Sequence, residues 1–333
     1  MNKLNYEYHS FEELVNIAYN KHNIKHFTDL DTAINILKNH PYYTLVNGYQ
    51  RALEETGHQE HFREGISLEL LEKFHTYETI LSSNTLGILI AFETKLKNIV
   101  QDTVAQHFGF LENDYLDISK YRNDKHISRT QLMSTFSFIS KEKRKVNHST
   151  KKYRKNGNVP PWILVNELTF GQVKRWYFLL PDKLKEQVTN EFNYFNIPKK
   201  TFLEFFTISL DILNDFRNGL AHGDVLNKII IKDSVHYFHL KHAFSENIIS
   251  EQEFNIQGIG KNDLFGSILL LFMLAPTVYR QILYIDLKST LGLFNTEIDL
   301  NSSQSRRLLG IPDRIIERLD TINQEILKIH LAN

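Results

Sequence analysis

The six residues RNGLAH at positions 217–222 bring together three side chains that suit the cleavage of a phosphodiester. His222 can take the proton of a ribose 2′-hydroxyl or give one to the leaving oxygen, because histidine changes charge near neutral pH. Arg217 can bind the phosphate bidentately while negative charge builds on it. Asn218 can fix the orientation of the imidazole. This chemistry needs no metal and no cofactor, so we predict Arg217, Asn218 and His222 as catalytic residues and no metal ligand.

These three residues come together only if they lie on a helix. At about 100° per residue, Asn218 and His222 share one face. Arg217 starts about 140° from His222, but its long side chain can reach the same patch. A second interpretation stays open at this point, because polar residues at the end of an apolar helix also cap its last carbonyl groups.

An apolar helix must position the hexapeptide. Lys200–Ala221 carries apolar residues at helical spacing, and Gly223 stands where a C-terminal cap is expected. A second, longer pattern runs from Leu68 to Phe108, and the polar residues 82–84 could interrupt it. Further helical patterns lie at Pro161–Leu168, Gly171–Leu180, Leu264–Tyr284 and Pro312–His330.

Two short runs, 228–232 and 235–240, are β-like, and we predict that they pair as a hairpin. The sequence therefore predicts a mainly α fold, a helical bundle with additional helices and one small β-hairpin. Trp162 and Trp176 are expected in its core.

The segment 141–155 is strongly basic, with eight Lys and Arg residues against the single acid Glu142. Clustered cations with an aromatic side chain suit contact with phosphates and stacking on single-stranded bases. A solvated linker is the other interpretation of such a run. The predicted RNA-binding residues are Lys141, Lys143, Arg144, Lys145, Lys151, Lys152, Tyr153, Arg154 and Lys155.

Composition excludes several classes of protein and of functional site. The 333 residues carry 39 Lys and Arg and 39 Asp and Glu, so the formal net charge is zero and any nucleic-acid role must come from local charge. Without cysteine the chain has no disulfide, cysteine-ligated zinc or cysteine nucleophile. The longest uncharged stretch, Leu264–Tyr279, is short of the about 20 apolar residues that a membrane span needs. We expect no membrane partner and a cytoplasmic protein, since the N-terminus has no signal-peptide pattern.

Four segments follow one another along the chain: NHPYYTLVNGY at 39–49, AFETKLKN at 91–98, PPWILVNELTFGQ at 160–172 and RNGLAH at 217–222. Together they resemble the Abi-like (abortive infection) proteins of bacteria. The first is similar to that family's INYYRLSGYW stretch, and the second to its E-x-x-(L/I)-(R/K)-(N/T) helix. PPWILVNELTFGQ at 160–172 resembles its PxW…E-x-x-(S/T)-F-G segment. RNGLAH at 217–222 fits the R-x4-H signature of HEPN-domain ribonucleases. Where the family often has a second histidine and the residues LWN, this chain has Gly223 and Leu226, followed by Asn227.

The resemblance implies a HEPN-type helical bundle of the AbiF/AbiD type and a metal-independent endoribonuclease in a phage-defence or toxin–antitoxin system. It implies His222 as general acid or base, Arg217 as phosphate anchor and Asn218 as support. Two R-x4-H motifs usually form one composite site, so a homodimer or higher homo-oligomer is expected. RNA is the expected substrate, and a small structured RNA an expected inhibitor. Residues matched to the family in a supporting position are Glu93, Lys97 and Asn227.

Glu93 and Lys97 also fit an ordinary i, i+4 ion pair on a solvated helix face. We predict one unit over 1–333, with an N-terminal helical part (about 1–140), a basic connection (141–160) and a motif-bearing part (161–333). Two alternatives to the nuclease stay open: a non-catalytic binder of a structured small RNA that regulates phage defence, and a helical scaffold for protein partners.

Overall fold

The structure, a computed structural model, describes residues 7–25, 28–298, 304 and 308–332. Its fold is mainly α, as predicted. The α-helices are Phe11–His22, Leu30–Asn39, Gly48–Leu53, Leu68–Phe108, Glu112–Tyr115, Arg129–Lys141, His148–Lys155, Pro161–Leu164, Phe170–Phe178, Asp182–Asn190, Lys199–His222, Tyr237–Leu240, Glu251–Asn255, Leu264–Leu274, Thr277–Glu297 and Ile315–Ala332. A π-helical turn spans Tyr43–Asn47, and 3₁₀ turns span Ile118–Lys120, Val165–Glu167 and Leu226–Lys228.

The long helix (Leu68–Phe108) runs for 41 residues through the centre of the molecule. The hydroxyl of Ser67 accepts the Leu70 N–H at its start, and the helix ends before Gly109, whose φ is 102°. Residues 82–84 do not interrupt it. The side chains of Leu81, Thr85 and Ile88 around them are buried, and this packing outweighs the local preference of serine and asparagine for caps.

The motif helix (Lys199–His222) places the hexapeptide on its last two turns. Its apolar face is buried, and Phe206 packs edge-to-face on Phe92 of the long helix. Gly223 ends the helix in the left-handed conformation, with φ 74°, as its position after the pattern predicts. A residue with a side chain would be strained in this conformation, which is why glycine suits this stop.

The last turns of the motif helix pack against the long helix. Glu93 contacts Arg217, and Glu78, fifteen residues earlier in the long helix, contacts Leu226, just past the end of the motif helix. The motif therefore lies beside the part of the long helix between Glu78 and Glu93.

A second buried helix, Leu264–Leu274, is apolar on every side and lies wholly inside the core. The pattern predicted one helix from Leu264 to Tyr284, but the structure has two, because Pro276 cannot continue a helix and begins the next one at Thr277. None of the helices in the described part of the chain combines the length and the apolar character needed to cross a membrane.

The predicted β-hairpin is wrong. No strand occurs among the residues that the structure describes; residues 229–236 form no regular secondary structure, and Tyr237–Leu240 is a short helix. The carbonyl of Ile231 accepts its hydrogen bond from the Asn262 side chain instead of from a neighbouring strand. Ile231 and Val235 are buried in the core, so tertiary packing uses the β-like pattern without forming a ladder.

Candidate active site and nucleic-acid surface

The three residues of the hexapeptide lie on the exposed side of the motif helix. Asn218 and His222 are exposed and Arg217 is half-buried. Asn218 and His222 share one helix face, as their spacing predicts, but no hydrogen bond joins them within the described residues. His222 belongs to the last turn, where the helix cap itself is made by the backbone of Gly223. The cap therefore does not depend on the imidazole.

A buried carboxylate on the long helix holds Arg217. Oε2 of Glu93 lies 3.4 Å from Nε of Arg217, an ion-pair distance without hydrogen-bond geometry. The other carboxylate oxygen lies 2.8 Å from Nζ of Lys97. The Glu93 side chain is only 8% exposed, against 31% for Arg217. The i, i+4 pair is thus present, but the interpretation of Glu93 as part of a solvated face is wrong: it links the two helices under the motif.

A buried polar network, which sequence reasoning missed, fixes the chain just beyond the motif. Glu78 is 2% exposed; one of its oxygens accepts the Leu226 N–H at 2.7 Å, and the other accepts the hydroxyl of Tyr49. That hydroxyl also lies 2.7 Å from Nδ1 of His75. Burial, together with the Glu78 carboxylate, raises the pKa of Tyr49 far above its ordinary value.

Sequence alone offered one signal for this network. Tyr49 belongs to the segment 39–49 that resembles the Abi-like proteins, whereas Glu78 lies in none of the four matching segments. Glu78 could have been suspected only as a charged residue on the buried face of an apolar helical pattern.

A pocket of about 150 Å³ opens beside the motif, between the long helix and the end of the motif helix. Leu86 and Leu220 supply apolar wall, and Gly223 and Asp224 line the side next to His222. The remaining lining residues of the long helix are all polar: His75, Glu78, Thr79, Ser82 and Ser83.

The basic segment divides into residues that face solvent and residues engaged within the protein. Nζ of Lys141 lies 3.6 Å from the Glu112 carboxylate, and Nζ of Lys143 lies 3.9 Å from that of Glu167. Within this segment, the exposed cations for which no ion pair occurs in the described part of the chain are Arg144, Lys145, Lys151, Lys152 and Lys155.

Arg154 closes the end of the preceding helix. Its guanidinium donates to three backbone carbonyls, those of Ile139, Ser140 and Lys143, at 2.6 to 3.1 Å. Tyr153 is half-buried and packs against the hydrophobic core. These two of the predicted RNA-binding residues therefore hold the basic helix (His148–Lys155) in place, and the charge available to a ligand comes from their neighbours.

Residues 167–171 contact the start of the basic helix and form the start of the helix Phe170–Phe178. One oxygen of the Glu167 carboxylate accepts the Asn147 N–H and the Thr150 hydroxyl, at 2.7 and 2.8 Å, so it anchors the start of the basic helix. Thr169 caps the next helix, Phe170–Phe178, and Gly171 lets that helix approach the motif helix, since a Cβ there would lie 3.2 Å from Oδ1 of Asn214.

An aromatic patch that the sequence did not predict adjoins the basic helix. Trp162 is 41% exposed, and its ring lies 6.1 Å from that of Phe110, which is 55% exposed. Asn158, three residues past the basic helix, bonds the backbone of Phe110 and Glu112. The expected place of Trp162 in the core is thus wrong, because the one-turn helix Pro161–Leu164 directs it to the surface; Trp176 is fully buried, as predicted.

Asn227 lies apart from the other supporting residues. It is exposed on the 3₁₀ turn Leu226–Lys228 and lines a wide groove of about 970 Å³. Across this groove Nζ of Lys228 lies 5.1 Å from the ring centre of Tyr43. The described residues contain no group of three or more His, Asp or Glu side chains placed to hold a metal ion.

Comparison with known protein families identifies the family of the chain. The sequence model of a family described as Abi-like protein matches residues 35–227, more than half of the chain. The matched region contains the Tyr49 segment, the long helix, the basic helix and the hexapeptide. No curated protein and no solved structure matches the chain at a significant level.

Proposed function

The chain belongs to the Abi-like protein family, whose name points to abortive infection and phage defence, and we propose that it acts there as a metal-independent endoribonuclease. The observation that carries the proposal is the motif turn: an exposed histidine, His222, five residues beyond an arginine, Arg217, that a buried glutamate holds in place. An exposed imidazole is free to exchange protons, and a positioned guanidinium can bind a phosphate.

In this mechanism His222 takes the proton from a ribose 2′-hydroxyl, whose oxygen attacks the neighbouring phosphorus and displaces the 5′-oxygen of the next nucleotide. The leaving oxygen then needs a proton, and a single histidine cannot be base and acid at the same moment. A second copy of His222 from a partner protomer meets this need, so we propose a homodimeric site. Arg217 compensates the charge that builds on the phosphate.

The proposed RNA path includes the basic helix. Its exposed cations Arg144, Lys145, Lys151, Lys152 and Lys155 suit phosphate contacts. The exposed rings of Phe110 and Trp162 beside them suit stacking on unpaired bases.

The decisive experiment is cleavage of labelled RNA by the purified protein in EDTA. The proposal expects products with 2′,3′-cyclic phosphate ends. His222→Ala should lower the rate by about 100-fold or more, as the loss of a general acid or base does. His222 is exposed, so the variant should keep the wild-type melting temperature. His242→Ala, at an exposed histidine far from the motif in sequence, is the matched control.

Failure of the wild-type protein to cut any RNA, with an unchanged cellular phenotype in His222→Ala, would refute the catalytic role. Light scattering tests the dimer separately: full activity from a protein with the mass of one protomer would contradict the composite site.

The basic surface also favours a second candidate, a regulator that binds a structured small RNA without cutting it. In that case neutralising Lys151 and Lys152 should weaken binding and flatten its dependence on salt. His222→Ala should leave the affinity unchanged, and RNA should copurify intact.

A further inference from the structure

The pocket between the long helix and the end of the motif helix has no role in the chemistry above, although it borders the motif directly. Two of its lining residues belong to the motif region: Gly223 directly follows His222 in the chain, and Leu220 lies about one helical turn from Arg217. A group held in this pocket would therefore lie within a nucleotide's reach of the phosphate that Arg217 binds.

The size of the pocket suits one small planar base. Its volume is about 150 Å³, which matches a protein cavity known to admit benzene. A single nucleobase fits such a space, whereas a nucleotide with its sugar and phosphate does not.

The charge of the lining excludes a phosphate and favours a base. Glu78 and Asp224 both line the pocket, and no Lys or Arg is among the described residues that line it. Leu86, Leu220 and Val225 can contact the faces of a planar ring. The hydroxyls of Thr79 and Ser83 can donate to or accept from its edge.

Asp224 gives the pocket a preference. Both oxygens of Glu78 already accept hydrogen bonds from Tyr49 and Leu226, so this carboxylate has little left for a ligand. Asp224 is exposed and borders the pocket, and a carboxylate accepts hydrogen bonds from exocyclic amino groups. Adenine, cytosine and guanine carry such a group, whereas uracil does not.

We propose that this pocket binds one unstacked nucleobase of the RNA next to the scissile phosphate, with Asp224 selecting a base that carries an amino group. The identification of the ligand as a base of the RNA substrate rests on the proposed ribonuclease function. The pocket itself can be tested without cleavage.

The test measures binding of the four nucleoside 3′-monophosphates to the full-length protein by titration calorimetry or NMR. We expect dissociation constants on the order of 1 mM for the amino-bearing nucleotides and weaker binding of uridine monophosphate. Ser83→Trp places a ring at the exposed mouth of the pocket and should weaken binding by about tenfold or more. Thr76→Trp, at an exposed position of the same helix outside the pocket, is the matched control and should bind like the wild type.

Asp224→Asn should reduce the discrimination between cytidine and uridine monophosphates. Equal affinities in the wild type and Ser83→Trp, or no binding by the wild type, would overturn the pocket. Binding that is sensitive to Ser83→Trp in a protein that cuts no RNA would keep the pocket and refute the nuclease. Cleavage of RNA by Ser83→Trp with an unchanged rate and base preference would keep the nuclease and refute the pocket.

Discussion

Replacing Glu78 by alanine tests the network that fixes the chain beyond the motif. The substitution removes the acceptor of two donors, the hydroxyl of Tyr49 and the Leu226 N–H. An unpaired buried donor costs about 1–3 kcal/mol. The hydroxyl of Tyr49 keeps its contact with His75, so the cost at Tyr49 is lower than that of a fully unpaired donor. We therefore expect the free energy of unfolding to fall by about 2–4 kcal/mol.

Urea unfolding measures this change, with Tyr49→Phe and the double variant completing a cycle. Because the two side chains share one hydrogen bond, the double variant should lose less than the sum of the single losses, by about 1 kcal/mol. Asp102→Ala removes an exposed carboxylate from the same helix and should change stability by no more than about 0.5 kcal/mol. Additive losses, or a loss in Glu78→Ala no larger than in Asp102→Ala, would refute the network.

Three further predictions follow from particular contacts. Gly219→Ala would bring a Cβ within 2.8 Å of the Ile229 side chain, so unfolding should show a loss of about 1–3 kcal/mol that Ile229→Ala partly relieves. Arg154→Ala should lower the melting temperature, because three carbonyls lose their donor, whereas Lys151→Ala should leave it unchanged and weaken RNA binding; equal melting temperatures would count against a structural role. The hydrogen bond from Arg318 lowers the pKa of Glu253 from 4.5 to about 2, so the stability that this carboxylate contributes is present above pH 4.5 and is lost as the pH falls towards 2; Glu253→Gln should flatten an acid titration of stability in that window.

The motif and its main neighbours show which parts of the site the sequence could predict. The placement of RNGLAH at the end of a helix followed from apolar spacing and from Gly223, and the structure confirms both. The pairing of Glu93 with Lys97 was also readable, since it lies within one helical turn. The partnership of Glu93 with Arg217 was not, because nothing in the local sequence indicates which helices pack together.

The basic segment also shows what the sequence alone could not predict. Its charge was evident from composition, but the sequence could not separate Arg154, which serves three carbonyls, from Lys151 and Lys152, which face solvent. It also placed Trp162 in the core, because helical spacing alone cannot show where a one-turn helix points its side chains.

By itself, the sequence determined the mainly α fold, the positions of the two helices that carry the site, and the chemistry available at residues 217–222. Helix positions depend on hydrogen bonds and side-chain spacing between residues a few positions apart, so a short stretch of sequence is enough to predict them. Tertiary structure alone decided the unpaired chain at 229–236, the pocket beside Gly223 and the bond between Glu78 and Leu226, 148 positions apart. Such contacts depend on how helices distant in sequence pack against one another, since a buried polar group takes whichever partner the packed core brings within reach.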